Sequence, residues 1–166
     1  MTIISVAVLL LLFAWYLSFS ASRLDRLHHR VETSWEHLDA LLQRRAALAL
    51  EISRQTDLDP ATDFIILQSA YGSREEAIVD RNDAERSLSE SLKLLRESAR
   101  NGEFTISVRL LDELTALTEK ITVAILIHLE AVNSVAKLRS RFIYRLFHLA
   151  GKAKLPRVYS FEEDAL

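Results

Sequence analysis

The chain of 166 residues contains no cysteine, only three glycines and two prolines, and few aromatic residues (8%). Without thiols there is no disulfide, no thiolate nucleophile and no cysteine-bound zinc or iron–sulfur centre. So few glycines leave no loop suited to cradling a phosphate, and too few tight turns for an all-β fold. Lys and Arg number 21 against 23 Asp and Glu, a formal net charge of −2, so no global charge draws the protein to nucleic acid. The histidines are His28, His29, His37, His128 and His148, and no His-Glu-x-x-His pattern joins them. Adjacent His28 and His29 would point about 100° apart on a helix, so no metal site is expected. No serine sits in a nucleophile elbow, and the acid pairs Glu75-Glu76 and Glu162-Glu163 lack an apolar pocket to separate their pKa values. A non-enzymatic protein without cofactor or metal is the expectation.

What the sequence does have is one long uncharged run. Thr2 to Ser22 is 21 residues without a charge, rich in Val, Leu and Phe, and as a helix it spans about 30 Å, the thickness of a bilayer core. Trp15, Tyr16 and Phe19 gather at one end, where aromatic rings favour the lipid–water boundary, and Arg23, Arg26 and Arg30 follow. The positive-inside bias then predicts a single-pass cell-membrane anchor, with the N-terminus outside and the rest of the chain cytoplasmic. A second reading stays open: Ser18, Ser20, Ala21 and Ser22 offer the small residues of a signal-peptidase site, which would release a secreted, envelope-associated helical domain.

The rest reads as helices. Positions 24, 27, 31, 34, 38, 41, 45, 48 and 52 alternate in steps of three and four, and seven of the nine are apolar, which predicts an amphipathic helix continuing from the membrane to about Arg54. Asp57-Leu58-Asp59-Pro60 predicts a stop and restart, with Asp59 as N-cap and Pro60 at the first helical position. A straight helix from 60 to 100 would be about 60 Å long against about 46 Å for 24 to 54. A kink or short connection is therefore expected near Gly72-Ser73, and Asn101-Gly102 is expected to close the segment with a left-handed cap. From Leu110 to Leu149 ten of twelve stripe positions are apolar, which predicts a last helix running to Gly151. Within it Ile121 to Leu129 is apolar nearly all round, calling for full burial or a partner. The predicted fold is all-α: a transmembrane helix continuing into an antiparallel up-and-down bundle of three to four long helices. Its parts are an anchor at 1–22, a bundle at 23–151 and an extended tail at 152–166.

Val31, Trp35, Leu38, Asp39, Leu42, Arg44, Arg45 and Leu48 form a Trp-x-x-hydrophobic-Asp-x-x-Leu-x-Arg-Arg pattern that resembles the LemA family. Lys120 to Val132, Arg139, Arg141 and the run from Arg145 to Pro156 are similar to the C-terminal half of its actinobacterial members. The resemblance covers most of the chain from Arg23, more generally in its middle third. It implies a cytoplasmic helical bundle on one N-terminal anchor, and it brings no catalytic residue. Two departures stand out: Ala124 to Leu129 replaces an Ala-Arg-Arg-aromatic-x-Asn pattern, and Ala49-Leu50 stands where a proline is common.

The candidate interaction residues are Trp35, Leu38, Asp39, Leu42, Arg44 and Arg45. Trp35, Leu38 and Leu42 are expected to organise the bundle. Asp39 has Arg45 or Gln43 within reach as partner, and a buried, paired Arg45 would fix helix register. His128 falls on the apolar stripe and is expected to be a core histidine held neutral by one hydrogen bond. The sharpest charge asymmetry is Lys137, Arg139, Arg141, Arg145, Lys152, Lys154 and Arg157, with no acid between Ala131 and Phe161. Interleaved with Phe142, Tyr144 and Phe147, it predicts a basic amphipathic helix facing anionic lipid or an acidic partner. The expected partners are the lipid bilayer and a protein, a second copy of the chain included, and not nucleic acid.

Overall fold

The computed structural model describes residues 2–75 and 81–140. They form four helices: α1 (Thr2–Gln55), α2 (Pro60–Glu75), α3 (Arg81–Arg100) and α4 (Val108–Arg139). The protein is all-α, as its periodicity predicts, and α1 runs without a break past Ser22. The expected extension of the last helix to Gly151, and the tail, lie outside the described residues.

The helix boundaries follow from local chemistry. Asp59 accepts hydrogen bonds at Oδ1 from the backbone N–H groups of Ala61 (3.0 Å) and Thr62 (3.1 Å), satisfying two of the donors that a helix start leaves unpaired. The Thr62 side-chain hydrogen bond, then the backbone bonds of Thr62 and Ala61, hold the Asp59 carboxyl below its ordinary value. The cap is fully formed above the usual carboxylate pKa and is lost as pH falls through the lowered one. At the end of α3, Glu103 N–H donates to the Ser98 carbonyl (3.1 Å) and Gly102 N–H to that of Ala99 (3.2 Å). This is a Schellman closure, and it needs the left-handed backbone that Gly102 adopts at φ 80°.

The interruption expected near Gly72-Ser73 is found, α2 ending at Glu75 and α3 beginning at Arg81, while Gly72 itself lies within α2. A Cβ at Gly72 would lie 3.9 Å from that of Ala84. That is an ordinary van der Waals distance, so a methyl group would fit where α2 lies against α3, and the packing does not demand glycine at this position.

The chain divides into two compact units. The described part of one is 2–35 with 127–140, from α1 and α4. In it Leu24 is buried with Val135 and Leu138, and Leu27 and Val31 cover them. Pairing of Arg30 with Glu130 (3.7 Å) sets the two segments antiparallel, since lower numbers on one meet higher numbers on the other. Residues 3–16 of α1 are exposed throughout.

The other unit comprises 36–75 and 81–126 in its described part. Leu38, Leu42, Leu48 and Ile52 of α1 are buried there, with Ile66 of α2, Leu88 and Leu95 of α3, and Leu110, Leu114 and Ile125 of α4. Burial of each such side chain is worth about 1.5 to 3 kcal/mol. Arg44 pairs with Glu113, and Arg109 with Glu51 (3.1 Å) and Glu113 (3.7 Å), so α1 and α4 run antiparallel here too. Ser53 donates to the Asp63 carboxylate, joining the end of α1 to the start of α2.

Candidate functional site

The six residues singled out from sequence do not converge on one site. Leu38 and Leu42 are fully buried core positions in the second unit. Arg44 is exposed and belongs to the surface ladder with Glu113, Arg109 and Glu51, a kind of pairing worth at most about 1 kcal/mol. Asp39 takes the nearer of its two expected partners, accepting a hydrogen bond from Gln43 Nε2 (2.9 Å). Asp39 and Arg45 are six residues apart, which places them on different helix faces.

Arg45 turns inward to a partner the sequence reading did not name. Its Nη2 donates to Glu85 Oε2 at 2.7 Å, with the Glu85 side chain at 0% exposure and that of Arg45 at 10%. Ser73 Oγ donates to the other carboxylate oxygen, also at 2.7 Å. One buried carboxylate on α3 thus gathers a guanidinium from α1 and a hydroxyl from α2. The signal for Glu85 was present: Glu85, Leu88, Leu92 and Leu95 continue one stripe in steps of three, four and three. An acid on the apolar stripe of one helix answers a base on the apolar stripe of another.

In the first unit, His128 is 2% exposed. Its ring lies against that of half-buried Trp35, centroids 5.6 Å apart and tilted by 54°. Ser34 Oγ is 2.8 Å from the Val31 carbonyl and 2.9 Å from His128 Nδ1. One hydroxyl proton cannot serve both contacts. Donation to Val31 leaves the Ser34 oxygen to accept from Nδ1–H, which assigns the proton of the neutral ring to Nδ1. Burial pushes the His128 pKa below its ordinary value, as expected of a core histidine held neutral.

Of the basic segment, Lys137 is exposed and lines a shallow groove with Arg23, Leu27 and Ser134 in the first unit. Arg139 is half-buried. Arg141, Arg145, Lys152, Lys154 and Arg157 lie outside the described residues. Among the described residues, no group of three or more His, Asp or Glu side chains is placed to hold a metal ion.

The apolar run from Ile121 to Leu129 resolves into two faces. Ile121, Ala124, Ile125 and His128 point inward, whereas Val123 and Leu126 of the second unit are exposed. On α2 the exposed large apolar side chains include Phe64 and Ile65. No family model, curated protein or solved structure matches the chain.

Two predictions test the buried clusters. Arg45→Ala or Glu85→Ala alone should cost about 3 to 5 kcal/mol by stranding a buried charge, while the joint replacement Arg45→Met with Glu85→Leu should recover most of that loss in denaturant unfolding. Equal destabilisation by the joint replacement would contradict the reading. For His128 the folded pKa lies below the unfolded one, so its unfolded form binds more protons below about pH 6.5 and stability falls there. Melting temperatures should therefore drop more steeply between about pH 7 and about pH 5 in the parent protein than in His128→Gln. Parallel profiles would show that His128 does not contribute.

Proposed function

We propose that the chain is a membrane-anchored, non-enzymatic helical interaction protein of the LemA-like type. The observation that carries this reading is the uncharged start of α1, where Leu9, Leu11 and Trp15 are 68%, 71% and 68% exposed. Apolar surface of that extent is stable only under lipid or a partner. The N-terminal segment of α1 meets the length and composition of a membrane span with 6% of its apolar window buried. α4 is also long and apolar enough to span a membrane, but 44% of its apolar stretch is buried, as suits a helix that serves a protein core. In the proposed topology Arg23, Arg26 and Arg30 hold the following helices on the cytoplasmic side.

The interaction role draws on the apolar side chains left uncovered, Val123 and Leu126 on α4 and Phe64 and Ile65 on α2, together with the basic segment that begins at Lys137. Where such side chains form a contiguous patch they suit a protein contact, and a cationic amphipathic segment suits anionic lipid or an acidic protein. The LemA-like assignment rests on the pattern through Val31, Trp35, Asp39, Arg44 and Arg45. With Leu38 and Leu42 buried, that pattern reads as one that builds the fold more than one that meets a partner.

Alkaline extraction of native membranes, N-terminal sequencing and protease accessibility in intact and opened cells test this proposal. The expected result is a chain with an intact N-terminal segment in the membrane pellet, its helices beyond α1 protected until the cells are opened. A soluble mature chain beginning near Ala21 or Ser22 would contradict it and leave the secreted, envelope-associated domain as the function to pursue.

A further inference from the structure

A cavity of about 260 Å³ opens in the second unit between α1, α3 and α4, somewhat below the range of about 300 to 1,000 Å³ typical for drug-sized ligands. Its walls are divided by chemistry. From α3 come Arg86, Ser89, Lys93 and Arg96, spaced three, four and three apart and so forming one stripe along the helix. Opposite them stand the buried aliphatic side chains Leu42, Leu114, Ile121 and Ile125. Among the described residues no carboxylate lines the cavity.

The cations differ in what already answers them. Arg45, which also lines the cavity, is neutralised by Glu85, and Arg86 lies near Asp83 (3.9 Å). Lys93 and Arg96 have no carboxylate partner among the described residues. The Nε–H groups of Arg45 and Arg96 are buried with no acceptor among the described residues. The hydroxyls of Ser89, Thr118 and Thr122 each donate to the carbonyl one turn back on their own helix, so the polarity on offer to a ligand is cationic. A row of cations on a helix is ordinarily a solvated face. Buried N–H donors beside an apolar wall are what distinguish this one.

We infer that the cavity binds a phosphate monoester carrying a short apolar group. Such a phosphate bears about −1.5 to −2 charge near pH 7, which matches the two cations that lack a carboxylate. The guanidinium fork of Arg96 takes two of its oxygens and the Lys93 ammonium a third, while the apolar group lies on Leu114, Ile121 and Ile125. This inference is independent of membrane anchoring, and the ester is either a soluble metabolite or a lipid headgroup.

The test is calorimetric titration of the full chain in phosphatidylcholine nanodiscs with hexyl phosphate, hexanol and inorganic phosphate. Hexyl phosphate should bind, and each of its halves alone should bind at least about tenfold more weakly. The double variant Lys93→Met with Arg96→Gln should lose about tenfold or more in affinity while keeping its helix content. Arg100→Gln, on the same helix outside the cavity, should bind as the parent does. Nanodiscs containing phosphatidic acid separate the sources: weaker apparent binding of hexyl phosphate in them assigns the site to a lipid headgroup, and unchanged binding assigns it to a soluble ester. Absence of hexyl phosphate binding, undiminished binding by the double variant, or equal binding of inorganic phosphate would overturn the proposal.

Discussion

The contact between Arg45 and Glu85 is the constraint on which the helical packing of the second unit turns. Taking a guanidinium and a carboxylate out of water costs several kcal/mol for each ion, and only close geometry with further hydrogen bonds offsets it. Here the second bond comes from Ser73, so the carboxylate on α3 receives both contacts only when α1 and α2 arrive at the right height. Aliphatic packing alone tolerates a slip by one turn, because Leu and Ile stripes are alike along their length. A single buried charge pair does not. The surrounding leucines supply the greater part of the stability, and the pair selects which arrangement of the helices is stable.

That division of labour bears on function. A core fixed in one register can hold chemically distinct faces at set positions, and the second unit has two: the apolar side chains of α2 and α4 that remain uncovered, and the cationic stripe of α3 beside the cavity. Glu85 lies on the turn of α3 that precedes Ser89 and Lys93, and Arg45 lines the cavity as it binds Glu85. Arg45 is thus shared between the packing contact and the cavity wall. The described part of the first unit combines aliphatic contacts with the Arg30–Glu130 pair and with the neutral His128 held by Ser34 against the Trp35 ring.

Much of the fold was legible because it depends on local chemistry. Five helix-breaking residues in the whole chain leave little besides helix. The cap at Asp59 and the left-handed residue at Gly102 follow from what those side chains, or the lack of one, can do within a few residues. The buried state of His128 could be read from the stripe it interrupts. The interruption near Gly72 followed from helix length, and α2 ends three residues later at Glu75. Glu85 went unnamed because its partner is remote in sequence. Arg45 stood on its stripe and called for a partner, but the nearest acids in sequence, Asp39 and Glu51, are each six residues away and lie on other faces, and the true partner is forty residues distant. Which charge meets which is decided by how the helices are arranged, beyond the reach of periodicity within one helix.

Amide hydrogen exchange on the full chain carrying Glu85→Gln tests the central claim most directly, because it reads each helix separately. If the buried pair ties the three helices together, amides around Arg45 on α1, Ser73 on α2 and Glu85 on α3 lose protection together and by similar factors. Loss confined to the turn of α3 around residue 85, with α1 and α2 as protected as in the parent, would contradict the account and leave the aliphatic core as what sets the packing.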